Sequence, residues 1–220
     1  MTDIRTLPVT AELIDYVVDH GSWPVDEVLA DLRAETLGLG AAAGMQIGAD
    51  QGQLLTLLAR IAGARRAVEV GTFTGYSSLC IARGLAEDGR LLCCDVSEEW
   101  TALARRAWER AGLADRIELR LAPALETLQA LPTDVPIDLA FIDADKPGYI
   151  AYWDELVPRV RPGGLLLADN VLWSGRITDE PGDDANLAAL RAFNDRVAGD
   201  ARVEVAILPA FDGLTIARKR

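Results

Sequence analysis

The chain has 220 residues, half of them hydrophobic and a quarter charged, which suits a single domain with a sizeable core. Its 34 acidic and 22 basic residues give a net charge of −12, a surface that repels nucleic acid and anionic membranes. The absence of any run of 18 apolar residues argues against a membrane-spanning helix. Residues 1–5 lack the basic-then-apolar pattern of a secretory signal, so a cytoplasmic protein is expected.

Cys80, Cys93 and Cys94 lack metal-ligand spacing and read as reduced core residues. Cys93 and Cys94 are neighbours in an apparent strand and should point to opposite faces. His20, the one histidine, reads as a helix-end residue. A histidine-based triad or a multi-histidine zinc site is thereby excluded.

In chain order, Thr10 caps a helix reaching Asp19, and Gly21-Ser22-Trp23-Pro24 breaks it. Residues 25–39 form a second helix with apolar Val25, Val28, Leu29, Leu32 and Leu37. Residues 39–48, with three glycines and three consecutive alanines, read as a loop. Asp50 and Gln53 resemble a capping box, opening a helix that runs through Leu54, Leu55, Leu57, Leu58 and Ile61 to a stop at Gly63.

Strands and helices then alternate. Strands are expected at 67–70, 90–95, 117–121, 137–143 and 165–169. The helices between them are expected at 74–83, 97–111, 124–131 and 149–160. Ser97 caps the second of these, with Glu98 and Glu99 in its favourable first turn, and Arg161-Pro162-Gly163-Gly164 ends the last. A polar, mobile loop over 174–184 precedes a helix over 186–197. Runs at 203–208 and 214–217 flank the turn Pro209-Ala210-Phe211-Asp212-Gly213, which suits a hairpin. The alternation predicts a mostly parallel, doubly wound α/β sheet, and the hairpin adds an antiparallel strand at one side.

Two strands end abruptly in oxygen-bearing side chains, at Phe141-Ile142-Asp143-Ala144-Asp145-Lys146 and Leu167-Ala168-Asp169-Asn170. In one parallel sheet these gather at the carboxyl edge, where open α/β sheets bind ligands. Carboxylate and amide oxygens there suit a hard cation such as Mg²⁺, Ca²⁺ or Mn²⁺, with a lysine beside it.

The first strand–turn–helix reads Glu69-Val70-Gly71-Thr72-Phe73-Thr74-Gly75-Tyr76-Ser77. It lacks the G-x-G-x-x-G dinucleotide fingerprint. Glu69, just before the glycine, repels pyrophosphate but favours a cationic amino group. Asp95 ends the second strand, 24 residues after Gly71, where a carboxylate can accept both ribose hydroxyls. A nucleoside with a cationic end and no phosphates fits, and S-adenosylmethionine meets that description.

Glu69 to Ser77, Asp95, Phe141 to Lys146 and Asp169-Asn170-Val171-Leu172-Trp173 together resemble class I S-adenosylmethionine-dependent O-methyltransferases. The nearest branch is the metal-dependent one of catechol and caffeoyl-CoA O-methyltransferases. Met45-Gln46-Ile47, Gln51-Gly52-Gln53 and Asp212-Gly213-Leu214-Thr215 resemble it too, so the likeness spans 175 of 220 residues.

The resemblance implies a Rossmann-like methyltransferase fold of seven strands, the last antiparallel, with extra N-terminal helices. Residues 1–63 would be the helical segment and 64–220 the core of one domain. It implies a cofactor set of Met45, Ile47, Glu69, Gly71, Phe73, Ser77, Asp95, Ala124 and Asp143. Gly71 and Ser77 would bind the methionine end, Met45 and Ile47 would close over it, Asp95 would hold the ribose and Ala124 would lie along the adenine. Asp143, Asp169 and Asn170 would ligate the metal, Mg²⁺ first. Lys146, with Asp143, would be catalytic, and Lys146, Asn170 and Trp173 would border a phenolic substrate.

A nearby dication disfavours an ammonium, so Lys146 is expected to accept the hydroxyl proton while the metal holds the oxygen. Asp145 stands where the catechol type has an aromatic residue and matches caffeoyl-CoA-like and bacterial members. Tyr149, Tyr152 and Trp153 are further aromatic candidates, the last two as packing residues. The implied assembly is a homodimer. The competing expectations are a nicotinamide-dependent oxidoreductase and a cofactor-binding regulatory protein without catalysis.

Overall fold

The computed structural model describes residues 9–21, 25–180 and 182–220. Residues 1–5, the Ser22-Trp23-Pro24 part of the expected break, and Pro181 lie outside them.

Two helices lead. α1 (Ala11–Asp19) is capped by Thr10, whose hydroxyl accepts the Leu13 N–H, and His20 ends it. α2 (Glu27–Leu37) is capped by Asp26 in the same way. A 3₁₀ turn, Gly40–Met45, occupies part of the expected loop. α3 (Ala49–Ile61) starts one residue before Asp50, with extended Gly48 at its cap position and no side-chain cap. The expected capping box does not form, because Gln53 is used elsewhere. Its amide donates to the Val18 carbonyl at 2.9 Å and ties α3 to α1.

β1 (Arg66–Val70), α4 (Tyr76–Gly84), β2 (Arg90–Asp95), α5 (Glu98–Arg110) and β3 (Ile117–Leu121) follow. Then come α6 (Ala124–Gln129), β4 (Ile137–Ile142), α7 (Tyr149–Arg159), β5 (Val160–Ala168), α8 (Ala185–Ala198), β6 (Val203–Leu208) and β7 (Leu214–Lys219). α4 begins two residues later than expected, because Thr74 belongs to the turn before it.

The larger correction is at β5. Arg161-Pro162-Gly163-Gly164 reads as a break, yet these residues lie inside the strand. Pairing with β4 shifts register between Ile137 and Leu139, and that irregularity absorbs the proline. Gly164 is required there, since a Cβ would stand 2.9 Å from the Asp138 carbonyl.

The sheet has seven strands in the order β3-β2-β1-β4-β5-β7-β6, with β1 to β5 parallel and β7 antiparallel to both neighbours. Strand order reverses between β1 and β4, so their carboxyl ends open the cleft of a doubly wound sheet. One core packs Leu55, Leu79, Cys93, Leu139 and Phe141 on one face. The other packs Val70, Cys94, Ile142, Trp153 and Phe193 on the opposite face. Cys93 and Cys94 therefore do point apart. Among the described residues, no helix is long and apolar enough to cross a membrane.

Candidate active site

The turn after β1 depends on glycine. Gly71 has φ +90°, and a Cβ there would stand 1.9 Å from the Asp143 carbonyl oxygen. β1 and β4 can deliver their ends to one point only because that atom is missing. Asp95, at the end of β2, organises the same turn. One carboxylate oxygen accepts the N–H groups of Thr72 (2.9 Å) and Phe73 (2.8 Å), and the other accepts that of Ser97 (2.8 Å). A carboxylate offers about four lone-pair sites, so one is left for a ligand. Asp95 is thus a buttress of the loop as well as a candidate ribose contact. The Phe73 ring packs edge-on against Trp100, with ring centres 5.1 Å apart.

Glu69 is fully buried beneath this turn. Its Oε2 accepts the Cys93 thiol at 3.4 Å, while Oε1 has no partner. Burial pushes its carboxyl up to about 8. An orphaned, buried acid oxygen fits a ligand that brings a cation, and so fits the ammonium end of S-adenosylmethionine. Ser77 is buried in the first turn of α4, and Ala124 is the first residue of α6. Ile47 packs into the core while Met45 is 48% exposed.

β4 and β5 bring the second group. The N–H groups of Asp143 and Asp169 continue the parallel ladders, to Val70 O and Ile142 O. Lys146 lies in a single 3₁₀ turn after β4 and is buried. Its ammonium donates to Asp143 Oδ1 (3.2 Å), Asn170 Oδ1 (2.7 Å) and the Tyr149 hydroxyl (2.7 Å). Three donors meet three acceptors, leaving the amine no rotational freedom. Burial raises the Asp143 carboxyl, against the opposing charge of Lys146. Burial, then the charge of Asp143, raises Asp169 to about 7. Two crowded carboxylates beside an amide oxygen are a donor set that a dication would relieve. Among the described residues, no group of three or more His, Cys, Asp or Glu side chains could hold a metal ion.

Asp145 is turned to other work. It caps the turn through Gly148 N (3.1 Å) and accepts the Tyr152 hydroxyl (2.6 Å). Tyr152 and Trp153 are buried packing residues. Trp173 is partly buried, and its indole N–H reaches Asp184 at 3.4 Å. Phe73, Asn170, Trp173 and Ser174 are four of the five non-glycine residues with positive φ among those described. Such strain collects where a surrounding site over-determines the backbone.

Two residues contribute in ways that the sequence did not assign. Tyr149, a substrate-side candidate there, instead donates its hydroxyl to the Asp169 carbonyl (3.0 Å) while accepting from Lys146. Its spacing, three residues past the lysine on a helix start, was the available signal. Asp212 accepts the Ser174 N–H through a carboxylate oxygen, and its backbone carbonyl accepts the Leu172 N–H at 3.0 Å. Its charge adds to the rise at Asp143. A separate cavity of about 470 Å³, bordered by Arg66, Leu92, Arg120 and Ile137, lies toward the amino ends of the strands and away from this rim.

Comparison with known proteins agrees with this geometry. Residues 19–220 match the family model described as O-methyltransferase. Tricin synthase 1 of Oryza sativa subsp. japonica is 38% identical, over 98% of this chain and 90% of its own. Caffeoyl-CoA O-methyltransferase 2 of Zea mays is 36% identical, over 98% of this chain and 85% of its own. The O-methyltransferase of Bacillus cereus, solved in complex with SAH, superposes with a TM-score of 0.87 at 33% identity, covering 95% of this chain and 97% of that one. TomG of Streptomyces achromogenes, solved with SAM, gives 0.86 at 31%, covering 94% and 96%. A nicotinamide-dependent oxidoreductase is set aside by these matches. On these matches the chain belongs to the O-methyltransferase family, as a class I S-adenosylmethionine-dependent enzyme.

Proposed function

We propose that the protein methylates one hydroxyl of a vicinal aromatic diol, a catechol-like or caffeoyl-like phenol, with a divalent metal ion at its site. The observation that carries this reading is the buried Lys146 ammonium, held by Asp143, Asn170 and Tyr149 at the strand ends that border the Glu69–Gly71 turn. S-adenosylmethionine supplies a sulfonium methyl, and a divalent ion, Mg²⁺ first with Ca²⁺ or Mn²⁺ as alternatives, supplies fixed positive charge beside the acceptor oxygens. Asp143, Asp169 and Asn170 would hold that ion.

The protein's own groups do the rest. Glu69 pairs with the ammonium end of the cofactor, and Gly71 and Ser77 let its methionine end lie against the backbone. Asp95 holds the ribose with its remaining lone pair, and Ala124 leaves room for the adenine. Lys146, once neutral, takes the acceptor hydroxyl proton at Nζ. Asn170 and Trp173 orient the ring so that attack is in line. Most of the rate then comes from orientation and placed charge rather than covalent chemistry.

The relatives named for caffeoyl-CoA and tricin support a phenolic acceptor. Arg176 is the sole Lys or Arg in residues 174–184, and it is paired with Asp184 at 3.0 Å. That favours a free phenol over a coenzyme A ester, whose phosphates need unpaired cations. A single-domain, cytoplasmic homodimer without nucleic-acid partners is part of the same proposal. A panel of catechols assayed with S-adenosylmethionine, with and without EDTA and added Mg²⁺, tests it. Turnover should vanish on metal removal and return with Mg²⁺. Undiminished turnover in demetallated protein would refute the metal role, and full metal affinity in Asp169→Ala would refute the ligand assignment.

A further inference from the structure

One closed polar group beside the cofactor turn takes no part in the chemistry above. Thr36, near the end of α2, and Thr74, in the turn after β1, are both buried. Their hydroxyls share a hydrogen bond of 2.9 Å. The amide nitrogen of Gln46 donates to both, at 3.0 Å to Thr36 and 3.2 Å to Thr74. The Thr36 hydroxyl also donates to the Leu32 carbonyl at 2.8 Å. With Thr36's proton on Leu32 O, the proton between the hydroxyls comes from Thr74, and the Gln46 amide donates across the pair. The end of α2, the segment just after it and the more distant turn after β1 thus meet in one triangle.

Gln46 stands between Met45 and Ile47, and it is the sole hydrogen-bonding side chain in residues 40–47, Gly-Ala-Ala-Ala-Gly-Met-Gln-Ile. That segment otherwise has Ile47 as its buried anchor, and Met45 is half exposed. Apolar packing of one side chain leaves the segment free to slide; a directed hydrogen bond to Thr74 fixes where it sits over the turn. We propose that the Gln46–Thr36–Thr74 triangle is the latch that holds residues 40–47 over the cofactor turn, making Gln46 and Thr74 positioning residues for cofactor retention. The proposal rests on the assignment of Met45 and Ile47 to the cofactor's border.

Gln46→Leu removes the tether while leaving the two threonine hydroxyls bonded to each other, so the fold is little disturbed. S-adenosylhomocysteine binding by calorimetry, its off-rate by stopped flow, and hydrogen exchange of residues 40–47 without ligand are the readouts. Gln46→Leu and Thr74→Val should each weaken binding by about tenfold, mostly in the off-rate, and speed exchange in 40–47. The double variant should be little worse than either single, because both break one network. Thr74→Ser keeps the hydroxyl and should bind as the wild type does. A global destabilisation alone would not single out 40–47. If Glu69→Gln weakens binding while Gln46→Leu and Thr74→Val do not, the latch is wrong and the cofactor rim stands. If none of the three weakens it, the rim assignment falls and the latch with it.

Discussion

Lys146 makes three hydrogen bonds in a buried setting, so its two possible roles, base and structural cation, predict different mutants. Lys146→Met keeps the stem and removes the amine. Loss of a positioned general base typically costs about 10²–10⁴-fold, and kcat in the phenol assay should fall by that much. Lys146→Arg restores a cation for Asp143 but cannot accept a proton, since guanidinium stays protonated. Arginine should therefore fail to rescue turnover; rescue would mean a structural ion pair. Tyr149 governs the direction of that amine. Its phenol is neutral, because burial, then the charge of Asp143, holds its hydroxyl well above the usual range. Tyr149→Phe leaves Lys146 short of one acceptor and the Asp169 carbonyl short of one donor. About 1.4 kcal/mol, one hydrogen bond, corresponds to a tenfold drop in kcat, with cofactor affinity by calorimetry unchanged.

Strand ends and helix starts were legible where local chemistry decides alone. Thr10 and Ser97 cap their helices as side-chain oxygens do, whereas Asp26 caps a helix that the sequence placed from Val25. The ends of β4 and β5 were legible because each apolar run stops abruptly at an acid, Asp143 and Asp169. The start of β5 was hidden, since Pro162-Gly163-Gly164 is a local breaker that β4 overrides by pairing and by a register shift. Tyr149 was hidden too, because its partners come from a turn and a different strand. The joint between α8 and β6 was equally invisible. Asp200, nearly buried there, accepts the Trp153 indole N–H at 3.0 Å and the Arg202 guanidinium at 2.8 and 2.6 Å. Hydrogen bonding from Arg202 holds its carboxyl well below the usual carboxylate range. A depressed folded pKa gives stability that is present above the unfolded value, about 3.9, and is lost as pH falls below it. Asp200→Ala also leaves the indole N–H without a partner, a cost of about 1–3 kcal/mol. Its Tm should lie below that of the wild type at neutral pH, and the gap should narrow in acid to the part left by the indole. A constant gap down to low pH would remove Asp200's ionisation from the account.

At the scale of the whole molecule, the site sets a pH dependence that the net charge of −12 alone would not. Glu69 sits at the centre of the sheet, on β1, with its folded carboxyl raised by burial from 4.5 to about 8. The folded protein therefore keeps a proton that the unfolded chain has already lost over that interval. Stability falls as pH rises wherever the unfolded state binds fewer protons, so Glu69 costs stability increasingly from about 4.5 to about 8. Asp169, raised to about 7, acts in the same direction, and Asp143 adds to it. Surface acids also titrate at the lower end, so the wild-type curve alone would be ambiguous. The difference between wild type and Glu69→Gln isolates one carboxyl. Without ligand, the Tm of Glu69→Gln should gain on that of the wild type between pH 5 and about 8 and then level off. The proposed pairing of a cofactor ammonium with the ionised acid predicts that the Tm gain on adding S-adenosylhomocysteine grows over the same interval in the wild type and stays flat in the variant. Parallel curves for the two proteins would mean that Glu69 ionises freely in the fold, and the unpaired buried oxygen would then need another partner than the cofactor's cationic end.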